Sequence, residues 1–215
     1  MTVEIWVEGP TDEAVLDELL RKPHQRGTSW APFFNLRERI LSGAVTTHIN
    51  VAGNRPRLLE NIGDWASGHF EDGVAHVFAL ADFQVEDREP GAVLGLLRDA
   101  VHRVVTDPDL RFRFHPHVVV PEVEAWLLAD PDALPQARVG APRPPANPEV
   151  LPPRQAKEWL SEYLWKARVK SYKGTADARG IASRANPDVV AQKCEHFRRL
   201  VEDFARCAGI GEAES

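Results

Sequence analysis

What most constrains this chain is an order: short apolar runs of strand length, each broken at a turn and followed by a segment with helical spacing. Val3 to Val7 alternates and stops at Glu8-Gly9-Pro10, which predicts a strand entering a tight turn. Thr11 is placed to cap the next helix, with Asp12 and Glu13 in its first turn against the helix dipole. Val15, Leu16, Leu19 and Leu20 give that helix an apolar face ending near Lys22-Pro23. The stretch from His24 to Ser42 is irregular, with a helical turn over Leu36 to Leu41. A second strand is expected at Val45 to Val51, broken by Gly53-Asn54, and then a helix over Arg57 to Phe70. His76 to Ala81 is a buried strand ending on Asp82, Gly91 to Val105 is a helix, and Phe112 to Val120 is a fourth strand that stops at Pro121. Strands that alternate with helices in this way predict an α/β fold, with a mostly parallel sheet of four or slightly more strands and helices on both faces.

The expected organisation is a core over residues 1–130, a Pro- and Ala-rich loop over 131–153, and a helical extension over 154–215. Helical spacing is clear over Arg154 to Val169 and over Asp188 to Cys207, with Trp159, Leu164, Phe197 and Phe204 among the apolar positions. That apolar face is too small to fold alone, so the extension is expected to pack on the sheet as part of the same domain. The six tryptophans fall in apolar patterns and are expected in the core.

Composition removes several classes. No apolar run approaches the ~20 residues of a membrane span. Glu4 and Glu8 interrupt the first apolar stretch and no basic segment precedes it, so no secretory leader is expected and the cytoplasm is the expected compartment. The two cysteines, Cys194 and Cys207, are not in a CxxC spacing and are expected as reduced packing residues. A net charge of −6 argues against a general nucleic-acid coat, but an enzyme acting on nucleic acid needs only a local basic patch. Walker A, GxGxxG and HExxH motifs are missing from the sequence.

The acids carry the chemical signal. Glu8 ends the first strand with Asp12 one turn on, Asp82 ends the third with Glu86 and Asp87 in the loop beyond, and Glu122 and Glu124 follow the fourth. In an open parallel sheet the strand C-terminal ends share one crevice, so separate strands deliver carboxylates to one place. Gathered carboxylates repel unless a cation neutralises them or their pKa values rise. Oxygen donors suit Mg²⁺ or Mn²⁺. First-turn acids such as Asp12, Glu13 and Glu86 also serve as dipole partners, whereas Glu8 and Asp82, ending apolar strands, call for a partner.

The segment Val7 to Glu13, taken with Asp82-Phe83, resembles the strand-turn-helix opening and third-strand acid of the TOPRIM superfamily, in particular its OLD-nuclease-like branch. More closely, the chain is similar to a bacterial family of unassigned function within it, through Glu8 to Glu13, Asp82-Phe83, Glu122-Val123-Glu124-Ala125-Trp126 and Lys193-Cys194-Glu195-His196-Phe197. The resemblance implies a TOPRIM-like sheet and a Mg²⁺-dependent nuclease, with Glu8 and Asp82 catalytic and a metal held among Glu8, Asp12, Asp82, Asp87, Glu122 and Glu124. It further implies a phage-defence setting and a partner ATPase of the ABC or AAA type. The second acid of the superfamily's DxD motif falls at Gln84. That departure favours the alternative of a non-catalytic regulatory or effector module, and a phosphatase or phosphotransferase on a small substrate is a third reading of the same acids.

Lys170, Lys173 and Arg179, around Ser171, Tyr172 and Gly174, form a basic segment suited to phosphates. Lys173 is the residue expected to assist catalysis there, on DNA in preference to RNA. The same segment is equally a solvated loop. His115 and His117 share a strand face and are expected to be structural, because no Cys or third His stands at ligand spacing. Cys194 and His196 point to different sides of one helix and are not expected to form a catalytic pair.

Overall fold

The computed structural model describes residues 1–21, 30–135, 143–167 and 172–210. Chain order begins β1 (Thr2–Val7), α1 (Pro10–Arg21), α2 (Ala31–Leu41), β2 (Thr46–Val51), α3 (Arg55–Glu71) and β3 (His76–Asp82). It continues with α4 (Pro90–His102), the single turn α5 (Pro108–Arg111), β4 (Phe114–Val119) and α6 (Glu124–Ala129). The remaining helices are α7 (Gln155–Lys166), α8 (Thr175–Ala182), α9 (Pro187–Lys193) and α10 (Glu195–Cys207). The sheet has four strands in the order β2-β1-β3-β4, and every pairing is parallel. This is the α/β architecture that the alternating pattern predicts.

Alternation along each strand divides the core between the two faces. Val77, Ala79 and Ala81 of β3 lie with Leu58, Ile62, Val93 and Leu97 of α3 and α4. Phe78 and Leu80 lie with Val3, Ile5 and Val7, under apolar side chains of α1, α2, α6 and the C-terminal helices. Phe204 of α10 meets Phe78 with ring centroids 5.2 Å apart, so the C-terminal helices pack directly on the sheet.

Several elements differ from the sequence expectation, each for a local reason. The segment 124–129 is a helix buried along its whole length; a short helix that is apolar on every side after Glu124 shows no amphipathic period to read. Helix α1 starts at Pro10, so Thr11 lies inside it and its hydroxyl faces Thr175 Oγ1 at 3.3 Å, while Asp12 accepts from the Gly9 N–H. The helix expected over 188–207 is two helices parted at Cys194, where Glu149 accepts from the Glu195 and His196 N–H groups and caps the second one. The expected basic loop contains α8, whose start is fixed by Gly174 at φ +53° and by the Lys173 N–H donating to Asp177. Lys170 and Ser171, and residues 136–142 of the Pro-rich stretch, lie outside the described residues. Among the tryptophans, Trp126 is in the core but Trp165 is exposed, and Trp6 stacks on Trp65 with centroids 3.9 Å apart.

Candidate functional site

The crevice at the strand C-terminal ends is built by three turns. β1 runs into Glu8, β3 ends on Asp82, and β4 leads through Val120-Pro121 to Glu122 and Glu124 at the start of α6. Glu8, Asp12 and Glu124 are buried. The Glu8 carboxylate accepts from the Asp82 backbone N–H at 3.0 Å and from Gln84 Nε2 at 3.4 Å, tying the ends of β1 and β3 together. Asp12 accepts from the Gly9 N–H at 2.9 Å and Glu122 from the Lys157 N–H at 2.7 Å. Glu124 accepts from the Tyr172 hydroxyl at 3.0 Å. Asp82 Oδ1 is buried with no hydrogen-bond partner among the described residues.

Burial with like charge nearby sets the electrostatics. Burial lifts the Glu8 carboxyl to about 7; the Asp82 N–H opposes this rise and Asp12 adds to it. Asp12 also rises to about 7, through burial and then Glu124 and Glu122, against the Gly9 N–H. Glu122 reaches about 7 through burial, opposed by the Lys157 N–H and reinforced by Glu124. Asp82 is held well above the carboxylate range by burial, then by Asp12, Glu8, Glu124 and Glu122. These shifts couple Glu8, Asp12, Asp82, Glu122 and Glu124 as neighbours in one electrostatic site.

Two features of this geometry bear on the expected metal ligands. Among the described residues the only trio of His, Cys, Asp or Glu ligand atoms mutually within 4.8 Å is His76, His115 and Cys207, so three carboxylates do not close to that spacing. Glu8, Asp12, Glu122 and Glu124 each accept instead from an N–H or O–H donor. Asp87 stands apart from the group. Burial would raise its pKa, yet it is held below the usual carboxylate range by Arg55, whose Nη1 and Nη2 donate to it at 2.6 and 2.7 Å, and by the Gln84 N–H at 2.7 Å. Its charge is committed to Arg55, which leaves Glu8, Asp12, Asp82, Glu122 and Glu124 as the candidate metal donors.

Arg55 itself was not singled out by sequence reasoning. Its signal was position: Gly53, at φ +101°, turns the chain at the end of β2 and starts α3 beside the crevice. Lys173 is exposed, and its neighbour Tyr172 is the residue that reaches the acids. Basic charge enters from α7 instead. Arg154 and Lys157 line a cleft of about 710 Å³ together with Asp82, Gln84 and Glu122. Arg179 lies 3.7 Å from Glu18.

No curated protein and no solved structure matches the chain. A family model described as a domain of unknown function, DUF4276, matches residues 7–205, so the chain belongs to the DUF4276 family.

Proposed function

We propose that the acid crevice binds Mg²⁺ or Mn²⁺ and hydrolyses phosphodiester bonds in nucleic acid. The observation that carries this reading is Asp82 Oδ1, a buried carboxylate oxygen with no hydrogen-bond partner among the described residues and four further acids nearby. Such an atom is costly unless something positive meets it. The donors are all oxygens, which matches a hard dication. Glu8 and Asp82 would hold it, with Asp12, Glu122 and Glu124 completing the shell. A bound dication supplies Lewis acidity toward a phosphodiester and lowers the pKa of water.

The protein's own groups account for the rest of the site. Asp82, Glu122 and the bases Arg154 and Lys157 line one cleft, an arrangement suited to a phosphate held between cationic side chains and a metal. Gln84 donates to Glu8 and so orients that carboxylate without adding negative charge. The raised carboxyls are partly protonated near neutrality, and a cation would displace those protons.

A second reading, a non-catalytic module that binds a partner ATPase, is favoured by Gln84, an amide occupying a place beside Glu8 where an acid would add a ligand. A nuclease of this kind is expected in the cytoplasm and to draw any ATP dependence from that partner. The test is cleavage of nicked, linear and single-stranded DNA and of RNA with Mg²⁺ or Mn²⁺, comparing wild type with Glu8→Gln and Asp82→Asn. Metal-dependent cleavage lost in both variants supports the nuclease. Cleavage unchanged in both removes this crevice as its site, and no cleavage by wild type with or without a co-encoded ATPase favours the module.

A further inference from the structure

At the opposite end of the sheet three soft and borderline donors meet from three elements. His76 opens β3, in register with Val3 of β1, and His115 lies on β4 opposite Phe78. Cys207 closes α10. His76 Nδ1 is 3.0 Å from His115 Nε2, Cys207 Sγ is 3.3 Å from the same Nε2, and all three ligand atoms lie within 4.8 Å of one another. The geometry points to a Zn²⁺ site on His76 Nδ1, His115 Nε2 and Cys207 Sγ.

Valence, spacing and donor type each favour a metal here, and none depends on the acid crevice. His115 Nε2 faces both His76 Nδ1 and Cys207 Sγ, and an imidazole nitrogen carries either one proton or one lone pair. It cannot satisfy two neighbours at full strength by hydrogen bonding, whereas one cation satisfies all three donors. Bonds of about 2.0–2.1 Å to nitrogen and 2.3 Å to sulfur at tetrahedral angles separate such donors by roughly 3.3–3.6 Å. The observed separations of 3.0 and 3.3 Å need only a few tenths of an ångström of opening. Two imidazoles and a thiol suit Zn²⁺ and disfavour Mg²⁺ or Ca²⁺.

The surroundings fit an ion that keeps one open position. His115 lines a cleft of about 490 Å³ together with Asp203, Arg98 and His102, so the fourth position is reachable from solvent. Asp203, one turn before Cys207 on α10, faces that cleft as well. Binding converts Cys–SH and Zn²⁺ into a Cys–S–Zn bond and one proton released to buffer. A neutral imidazole binds through its lone pair and contributes no proton. The ion would pin the end of α10 to the N-terminal edge of the sheet.

The test is titration of the full-length, reduced, chelator-stripped protein with Co²⁺ and then Zn²⁺. Wild type should show a thiolate-to-metal charge-transfer band that saturates at one Co²⁺ per chain, and Zn²⁺ should abolish the band with release of about one proton. Cys207→Ser should abolish the band, and both it and His76→Asn should weaken Zn²⁺ binding about 100-fold, the upper end of what losing even an outer-shell partner costs. Cys194→Ala and the doubly substituted Glu8→Gln, Asp82→Asn protein should keep the band, which separates this site from the acid crevice. Folding of each variant is checked by circular dichroism. A wild type without the band, a Cys207→Ser protein that binds Zn²⁺ as tightly as wild type, or a band lost on Cys194→Ala would overturn the assignment.

Discussion

At the C-terminal ends of β1, β3 and β4, burial raises the pKa values of Glu8, Asp12 and Glu122 to about 7. On the inner face of β4, toward the strand N-terminal ends, burial instead lowers His115 and His117 to about 4. One physical cause, loss of solvent around a charge, thus works in opposite directions on acids and on imidazoles. Both regions are driven toward neutrality, yet they differ in what remains. Glu8, Asp12 and Glu122 accept from N–H donors while Asp82 Oδ1 has no hydrogen-bond partner among the described residues, whereas His76, His115 and Cys207 bring three ligand atoms within 4.8 Å of one another. If both edges bind metal, the oxygen-rich one would suit a hard cation and the nitrogen- and sulfur-bearing one a borderline cation.

The largest effect is expected at the acids. Glu8→Gln or Asp82→Asn should lower metal-dependent cleavage by about 10³-fold or more, comparable with removing a group that stabilises transition-state charge. The same substitutions should raise metal-free thermal stability, because they relieve repulsion among buried carboxylates. A variant that lost both cleavage and stability would mean that these acids brace the fold instead of holding a cation.

Next in size is Arg55. Its pair with Asp87 is nearly sealed, the two side chains being 7% and 8% exposed. Removing one partner leaves a buried charge unanswered, so Arg55→Ala should cost about 3–5 kcal/mol in urea unfolding. Arg55 also lowers the Glu8 pKa, so its loss should push Glu8 further up. The double variant Arg55→Met, Asp87→Leu should recover most of the stability. If Arg55→Ala alone were neutral, the distinction between committed Asp87 and the five other acids would fail.

Stability against pH separates the two regions directly. Glu8, Asp12 and Glu122 have folded pKa values above their ordinary 4.5, 3.8 and 4.5. Their contribution is therefore fully present below about 4 and is lost as pH rises through about 7. His115 and His117 have folded values below their ordinary 6.5. There the unfolded chain takes up protons that the folded one refuses, so their contribution is present above 6.5 and is lost as pH falls toward about 4. In metal-free wild type the two slopes oppose each other between about 4.5 and 6.5. Glu8→Gln with Asp82→Asn should expose the rising histidine slope, and His117→Gln the falling carboxylate slope, in melting temperatures measured every half pH unit. Saturating Mg²⁺ should lift stability chiefly above pH 7, where the carboxylates are ionised. Identical slopes in both variants would break the comparison.

Much of the acid edge was legible in the sequence because Glu8 and Asp82 each interrupt an apolar strand, a pattern that is local. The divided packing of β3 was likewise readable, since a buried strand is an apolar run of fixed length. The histidine edge was not. His76 and His115 are 39 residues apart, and His115 and Cys207 are 92 apart, so no ligand spacing exists until parallel pairing brings β3 beside β4 and α10 folds across them. His115 was expected to lack a cysteine or a third histidine nearby, and the fold supplies both. Helix α8 was missed because its start depends on Gly174 and on the Asp177 side chain, and Arg55 because its role depends on Asp87, 32 residues away.

The smallest expected effect concerns substrate contacts, and it refines which basic residues serve the acid edge. Lys173 follows Tyr172, whose hydroxyl reaches Glu124, but Lys173 itself is exposed. Lys157 and Arg154 line the cleft with Asp82 and Glu122, and the Lys157 backbone N–H already anchors Glu122. A phosphate entering this cleft should therefore meet the α7 side chains before it meets Lys173. Lys157→Ala keeps the N–H and the helix but removes one cation, so KM should rise several-fold with little change in kcat, and the salt slope of binding should flatten by about 1. Lys173→Ala should show a weaker version of the same change, because solvent and salt screen an exposed charge. Binding of a labelled oligonucleotide across a salt series, with kcat and KM measured separately, distinguishes the two. Should Lys173→Ala reduce kcat while Lys157→Ala leaves binding untouched, phosphate would approach from the α8 side, and Lys173 would regain the catalytic role that its place in the sequence suggests.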